Sequence, residues 1–228
     1  MFFDAGETLV HPHPSFPELL TEALREKGHQ VDPGVVRERL WVVSERFLKA
    51  ARENDLWTTS AEKSRAFWSS IYETFLRELG IEWNDGLAQH LYETFTDLSN
   101  YRLFEDVVAV LELLHARGLQ LGLVSNFEEW LERLLDALDV SRFFDVQVIS
   151  GREGVEKPDP TIFLLALDRA RAEPGDSAYV GDNVHFDIEP AASVGMLPVL
   201  LDRRGRYPDH DGVRITSMSE LPEVLEVG

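Results

Sequence analysis

Residues 177–187 read Ser177-Ala178-Tyr179-Val180-Gly181-Asp182-Asn183-Val184-His185-Phe186-Asp187. The pattern predicts a strand over 177–181 that ends on Asp182, a tight turn, and a helix over about 187–194 that begins near Asp187. A further strand is expected at 197–200. The same rhythm runs upstream. A helix through Val107, Val110, Leu111 and Leu114 stops at Gly118, and Leu119-Gln120-Leu121-Gly122-Leu123-Val124 reads as a strand ending on Ser125. A helix over 127–138, a strand at about 144–149 and a helix opened by Pro160 follow. Alternation of this kind argues for a parallel sheet with helices on both faces. Met1-Phe2-Phe3 reads as one more strand, ending on Asp4. Open parallel sheets bind ligands beyond the carboxyl ends of their strands, where the winding reverses. Asp4, Ser125 and Asp182 all fall at such ends.

Between these parts, residues 15–97 read as four helices with no strand among them. Ser15-Phe16-Pro17-Glu18 has the form of a capping box, opening a helix that runs to Gly28. Asp32-Pro33 gives an N-cap with proline in the first turn, leading one long segment through Trp41, Phe47 and Ala51. Thr59-Ser60-Ala61-Glu62 is a second capping box, followed by Phe67, Trp68, Ile71, Tyr72, Phe75 and Leu79 at helical spacing. A last helix covers about 85–97. The expectation is a small helical bundle inserted after the first strand, with Trp41, Trp57, Trp68 and Tyr72 mostly in its core. The tail after 202, with Arg203, Arg204 and Arg206, reads as a solvated loop before a short last strand and helix.

The chain has 228 residues, 44% hydrophobic and 28% charged, enough for one large domain or a domain with an insertion. No apolar run approaches the roughly 20 residues of a membrane span. An acid and a glycine interrupt the apolar start, which does not read as a secretory leader. With no cysteine, disulfides and thiolate metal sites are excluded, and a cytoplasmic protein is expected. The formal charge of −19 argues against nucleic acid as a partner. It also means that an anionic substrate enters against the overall field, so local cations must compensate. Lysine occurs only at 27, 49, 63 and 157, against many arginines, which points to a need for a compact ammonium at Lys157.

These residue types suit phosphoryl transfer, which needs an in-line nucleophile and strong charge neutralisation. Asp4 can act as the nucleophile and form an aspartyl-phosphate. Magnesium takes hard oxygen ligands and keeps several waters, so one or two carboxylates plus the substrate suffice. Asp4, Asp182 and Asp187 offer them. Ser125 and backbone amides at helix starts can bond phosphoryl oxygens, and Lys157 can offset the remaining charge. The ordinary readings are a turn acid at Asp4 or Asp182, a helix cap at Asp187 or Ser125, a structural amide at Asn126 and a solvated Lys157.

Taken in order, Asp4-Ala5-Gly6-Glu7-Thr8-Leu9, Ser125-Asn126, Lys157-Pro158 and Gly181-Asp182 with Asp187 resemble the four motifs of the haloacid dehalogenase-like hydrolase superfamily. The resemblance covers nearly the whole chain, since the inserted helices look like that superfamily's mobile cap. It implies a Rossmann-like core over 1–12 and 99–228 and a helical cap over 13–98. It further implies catalytic roles for Asp4, Ser125 and Lys157, phosphate contacts from Ser125, Asn126 and Lys157, and a magnesium ion held by Asp4, the Gly6 carbonyl and Asp182. Asp187 would bind that ion or orient its waters.

Two departures matter. Most phosphatases of the family carry a second aspartate two positions after the nucleophile, as general acid and then base, and here that position is Gly6. Glu7, His11 and His13 are the candidates to replace it, each with a plainer reading as a turn acid or linker side chain. Thr8 is expected to order the motif's turn. Only three residues precede Asp4, few for a central strand of about 5–6 residues, which leaves the completeness of the start open.

The expected function is a magnesium-dependent hydrolase of a small phosphorylated metabolite. The alternatives are a metal-independent 2-haloacid dehalogenase, from which the paired Asp182 and Asp187 point away, and a weakly catalytic phosphate- or partner-binding protein.

Overall fold

A computed structural model describes residues 1–53 and 55–226. The chain divides into two compact units, Met1–Val10 with the chain from Leu103 onward, and His11–Arg102. In chain order, β1 (Phe2–Phe3) and β2 (Val10–Pro12) lead into helices α1 (Phe16–Glu26), α2 (Pro33–Arg37), α3 (Trp41–Glu53), α4 (Ala61–Glu78) and α5 (Asp85–Thr96). The chain returns on β3 (Tyr101–Leu103), which forms a two-stranded sheet with β2.

The helical unit is held by aromatic packing. Trp57 stacks on Phe67 and meets the edge of Phe47, while Tyr72 stacks on Phe95. Trp57 and Tyr72 are buried and Trp68 is partly buried, whereas Trp41 is exposed. The single segment expected after Asp32 is two helices, so the described residues hold five helices here instead of four. Asp32 caps α2 as expected, accepting from the Gly34 amide at 2.7 Å. Between α2 and α3 the bonds tighten to Arg39 N–Val36 O and Val42 N–Arg39 O, a 3₁₀-type turn that breaks the axis. Neither capping box forms. The Ser15 hydroxyl has no hydrogen-bond partner, and the Glu18 side chain accepts from Arg37 at 2.5 Å instead of reaching back to the Ser15 amide. At α4 the cap is Ser60, one residue later than expected, accepting from the Lys63 amide.

The other unit continues through α6 (Val107–Ala116), β4 (Gly122–Ser125), α7 (Leu131–Ala137), β5 (Val146–Ile149), α8 (Ser150–Glu153) and α9 (Thr161–Ala170). It closes with β6 (Ala178–Gly181), α10 (Glu189–Ser193), β7 (Leu197–Leu201), β8 (Val213–Ile215) and α11 (Leu221–Glu226). The six-stranded sheet has the order β5-β4-β1-β6-β7-β8, with every pair parallel. This is the α/β sheet flanked by helices, with an all-helical insertion, that the sequence pattern predicts. Phe2, Val124, Val148 and Tyr179 share one face and pack with Ile162, Phe163, Ala166 and Leu167 of α9. Alternate residues of buried strands thus meet one apolar helix stripe. No helix among the described residues is long and apolar enough to cross a membrane.

The ladder of the central strand extends past its two residues, Phe2 and Phe3. Gly122 N bonds Met1 O at 2.8 Å, and Asp4 N bonds Val180 O at 2.9 Å. A Cβ at Gly122 would lie 2.5 Å from the Phe2 ring, so glycine is what allows this close pairing. The strand expected at 119–124 begins at Gly122, and the helix expected at 127–138 begins at Leu131. The expected helix at 187 is preceded by a π-helical turn over Val184–Ile188. α8 was not legible in the sequence.

Candidate active site

Because β4 and β6 flank β1, the carboxyl ends of three strands converge where the winding reverses. Asp4 follows β1, Ser125 ends β4 and Asp182 follows β6. Asp187 is returned to the same point by the widened turn after β6. There the Asn183 side chain accepts from the amides of His185 (3.0 Å) and Phe186 (3.1 Å), and the Asn183 amide donates to Asp187 Oδ2 at 3.0 Å. Carboxylate oxygens of Asp4, Asp182 and Asp187 all lie within 4.8 Å of one another.

Lys157 joins two of these acids. Its Nζ donates to Asp4 Oδ1 at 2.7 Å, Asp187 Oδ1 at 2.6 Å and the Tyr179 hydroxyl at 3.0 Å, which employs all three ammonium donors. The side chain is only 3% exposed, which removes the reading of a solvated lysine. Its backbone is clamped by Asn126, whose amide nitrogen donates to Lys157 O and whose amide oxygen accepts from Lys157 N, both at 2.7 Å. The Asn126 side chain therefore works on the lysine loop. Ser125 Oγ donates to Asp4 Oδ1 at 3.0 Å.

The electrostatics follow from burial. Burial opposes the charge on Lys157, but the Asp187 and Asp4 carboxylates outweigh it and raise its pKa. Asp187 is pushed up to about 7 by burial, against the pull of Lys157, with Asp4 and Asp182 adding to the rise. Asp182 is pushed up to about 6 by burial, against Arg206, with Asp4 and Glu7 adding. Burial and crowding make these acids keep their protons to a higher pH than free carboxylates do.

The loop arginines, read as solvated, instead engage acids. Arg206 Nη2 donates to Asp182 Oδ2 at 2.6 Å and to the Asp182 carbonyl at 3.0 Å. Arg204 pairs with Glu7 at 2.5 Å, and Arg203 grips Asp106 through two nitrogens at 2.8 Å each. Glu7 adopts φ 58, the unusual left-handed turn, and burial raises its pKa against the opposing arginines. The Thr8 hydroxyl has no partner, so the turn is ordered by backbone bonds from Leu9 N and Val10 N to Ala5 O. His11 and His13 belong to the helical unit, their rings 6.2 Å apart.

Tyr179 is a site residue that the sequence reading missed. Its buried hydroxyl accepts from Lys157 and lies 2.8 Å from the Val124 carbonyl and 3.1 Å from Asp187 Oδ1, donating to one of them. Among the described residues no hydrogen bond reaches Asp4 Oδ2 or Asp182 Oδ1. Two acceptor oxygens thus remain open among three converging carboxylates, a donor set that fits a hard divalent cation.

A parallel sheet with an acid after its central strand, a buried lysine and a paired-acid turn defines a hydrolase of the haloacid dehalogenase-like family. The chain belongs to that family, which it matches over residues 1–195. It is 35% identical over 175 residues to haloacid dehalogenase-like hydrolase domain-containing protein 3 of Mus musculus, covering 72% of this chain and 69% of that relative. It is 34% identical over 143 residues to a glyceraldehyde 3-phosphate phosphatase of Methanopyrus kandleri, covering 60% of each. It is also 30% identical over 178 residues to (S)-2-haloacid dehalogenase 4A of Burkholderia cepacia, covering 74% of this chain and 75% of that one. The magnesium-bound HAD-hydrolase YfnB of Bacillus subtilis shares the fold, with a TM-score of 0.78 at 16% identity over 98% of this chain and 96% of that one.

Proposed function

We propose that the chain is a magnesium-dependent phosphatase of a small phosphorylated metabolite, acting through an aspartyl-phosphate on Asp4. The observation that carries this reading is the convergence of Asp4, Asp182 and Asp187 within 4.8 Å, with Lys157 bridging Asp4 and Asp187. Asp4 Oδ2, Asp182 Oδ1 and the Gly6 carbonyl would hold the cation, with Asp187 orienting its waters. When bound, the cation would neutralise charge on the phosphoryl oxygens and the nucleophile. Asp4 Oδ1, aligned by Ser125 and Lys157, is the nucleophilic oxygen. Tyr179 and Asn126 fix Lys157 so that its charge stays beside that oxygen. Gly6 offers the leaving group no proton, so turnover favours leaving groups that depart as anions, such as acyl or aryl phosphates.

The dehalogenase relative and the missing second aspartate favour a second reading, a metal-independent 2-haloacid dehalogenase. The acid triad argues against it, because that reaction has no use for a cation site. A panel of phosphate esters assayed with and without magnesium, beside Asp4→Asn and a 2-haloacid control, separates the two. The proposal expects phosphate release that needs the metal and vanishes in Asp4→Asn. Halide release without metal would select the second reading, and a panel without turnover would defeat both.

A further inference from the structure

Each carboxylate assigned above to the cation has one oxygen fastened by a cationic side chain and one left bare. On Asp4 the fastened oxygen is Oδ1, held by Lys157 at 2.7 Å. On Asp182 it is Oδ2, held by Arg206 at 2.6 Å, and Arg206 is the only donor to that carboxylate among the described residues. An Asp182 without it would have no hydrogen bond fixing its broad terminal torsion.

Arg206 is also built into its position. Its amide donates to Asp202 Oδ1 at 2.8 Å, the Tyr207 amide donates to Asp202 Oδ2 at 2.9 Å, and Arg214 Nε donates to the same oxygen at 3.0 Å. Asp202 is fully buried, so these bonds are shielded from water. Gly205, at φ 65, supplies the left-handed residue that the turn requires. Arg203 ties the turn to the stretch just past Asp4 through Asp106 and the Thr8 carbonyl. A guanidinium carried on a turn of this rigidity differs from an ordinary surface ion pair, which contributes little.

We propose that Arg206 is a positioning residue for the divalent cation, holding Asp182 by Oδ2 so that Oδ1 faces the metal beside Asp4 Oδ2. The inference rests on the metal-dependent reading above and adds to it a residue outside the family motifs. Two effects of Arg206 oppose each other. Its charge repels a cation, but the side chain is 42% exposed and that repulsion is screened. Its bond orients a ligand, and losing such an outer partner typically weakens metal binding about 10–100-fold. Orientation is the larger effect.

The test titrates Mn²⁺ alone into the full chain near pH 8 without substrate, read by calorimetry and by electron paramagnetic resonance of the ion. Arg206→Gln is expected to raise Kd about ten-fold while leaving thermal unfolding in chelator nearly unchanged, and Arg206→Lys to recover part of the loss. Arg204→Gln removes a similarly exposed charge that is paired with Glu7, and should move Kd less than about two-fold. Unchanged or tighter binding by Arg206→Gln, with the wild type binding normally, overturns this inference alone. Failure of the wild type to bind Mn²⁺ overturns the metal-dependent reading and this one together.

Discussion

Gly6 stands two residues beyond Asp4, and a Cβ there would lie 3.9 Å from the Phe127 ring, an ordinary contact. Its backbone is outside the left-handed region, so an aspartate fits without strain. Gly6→Asp is therefore expected to raise hydrolysis of a simple alkyl phosphate about 10²-fold, the lower end of what a positioned acid and base contribute. Steady-state rates on alkyl and aryl esters check it, and an alkyl rate that does not rise would show that Gly6 is not what limits the chemistry. At this scale the sequence exposed the residues that follow apolar runs, since Asp4, Ser125 and Asp182 sit at strand ends. Tyr179 was hidden because a tyrosine inside a strand looks like core, and most of its ring is core. Arg206 was hidden for another reason. It reaches Asp182 across 24 residues of chain, through a turn that no local pattern announces.

The element that carries the most chemistry is the turn from β6 to α10. Its π-helical widening brings Asp187 back onto the end of β6, where the Asp187 side chain fills the space beside Gly181 that a Cβ would need. A Cβ at Gly181 would lie 2.6 Å from Asp187 Oδ2 and Cβ, so Gly181→Ala must push the acid away from Lys157. The expected cost is about 1–3 kcal/mol of stability, as for other small-to-large changes in packed sites, with a loss of divalent-cation affinity. Urea unfolding and Mn²⁺ titration of the variant check both, and a stable variant with intact affinity would show that the turn yields easily. π turns of this kind have no periodic signature, because the extra residue shifts the helical spacing by one position. Strand ends and helix stripes are legible for the opposite reason. Val107, Val110, Leu111 and Leu114 repeat the period of the helix, and all four are buried. The first capping box lost its glutamate to a partner from elsewhere in the fold, Arg37.

Across the molecule, a chain of charge −19 gathers three of its acids at one point, and the cost of doing so depends on pH. Asp187 faces Lys157, Tyr179, Asp4 and Asp182, and Asp182 faces Arg206, Asp4 and Glu7. Both have folded pKa values raised above the ordinary 3.8, to about 7 and about 6. The folded state therefore binds more protons than the unfolded state between about pH 4 and 7. Stability from these groups is fully present below pH 4 and is lost as the pH rises through 6 and 7. A divalent cation that binds the ionised acids, and only in the folded state, would reverse the loss. At pH 5 it must displace protons from both groups, whereas at pH 8 it does not. Thermal unfolding with chelator and with magnesium should thus show a larger rise in Tm from the ion at pH 8 than at pH 5. Asp182→Asn should remove most of that increment, which separates binding at the site from diffuse screening of an acidic surface. A rise that is the same at both pH values, or that survives Asp182→Asn, would mean the ion acts on the net charge of the chain and not on the carboxylates around Asp4.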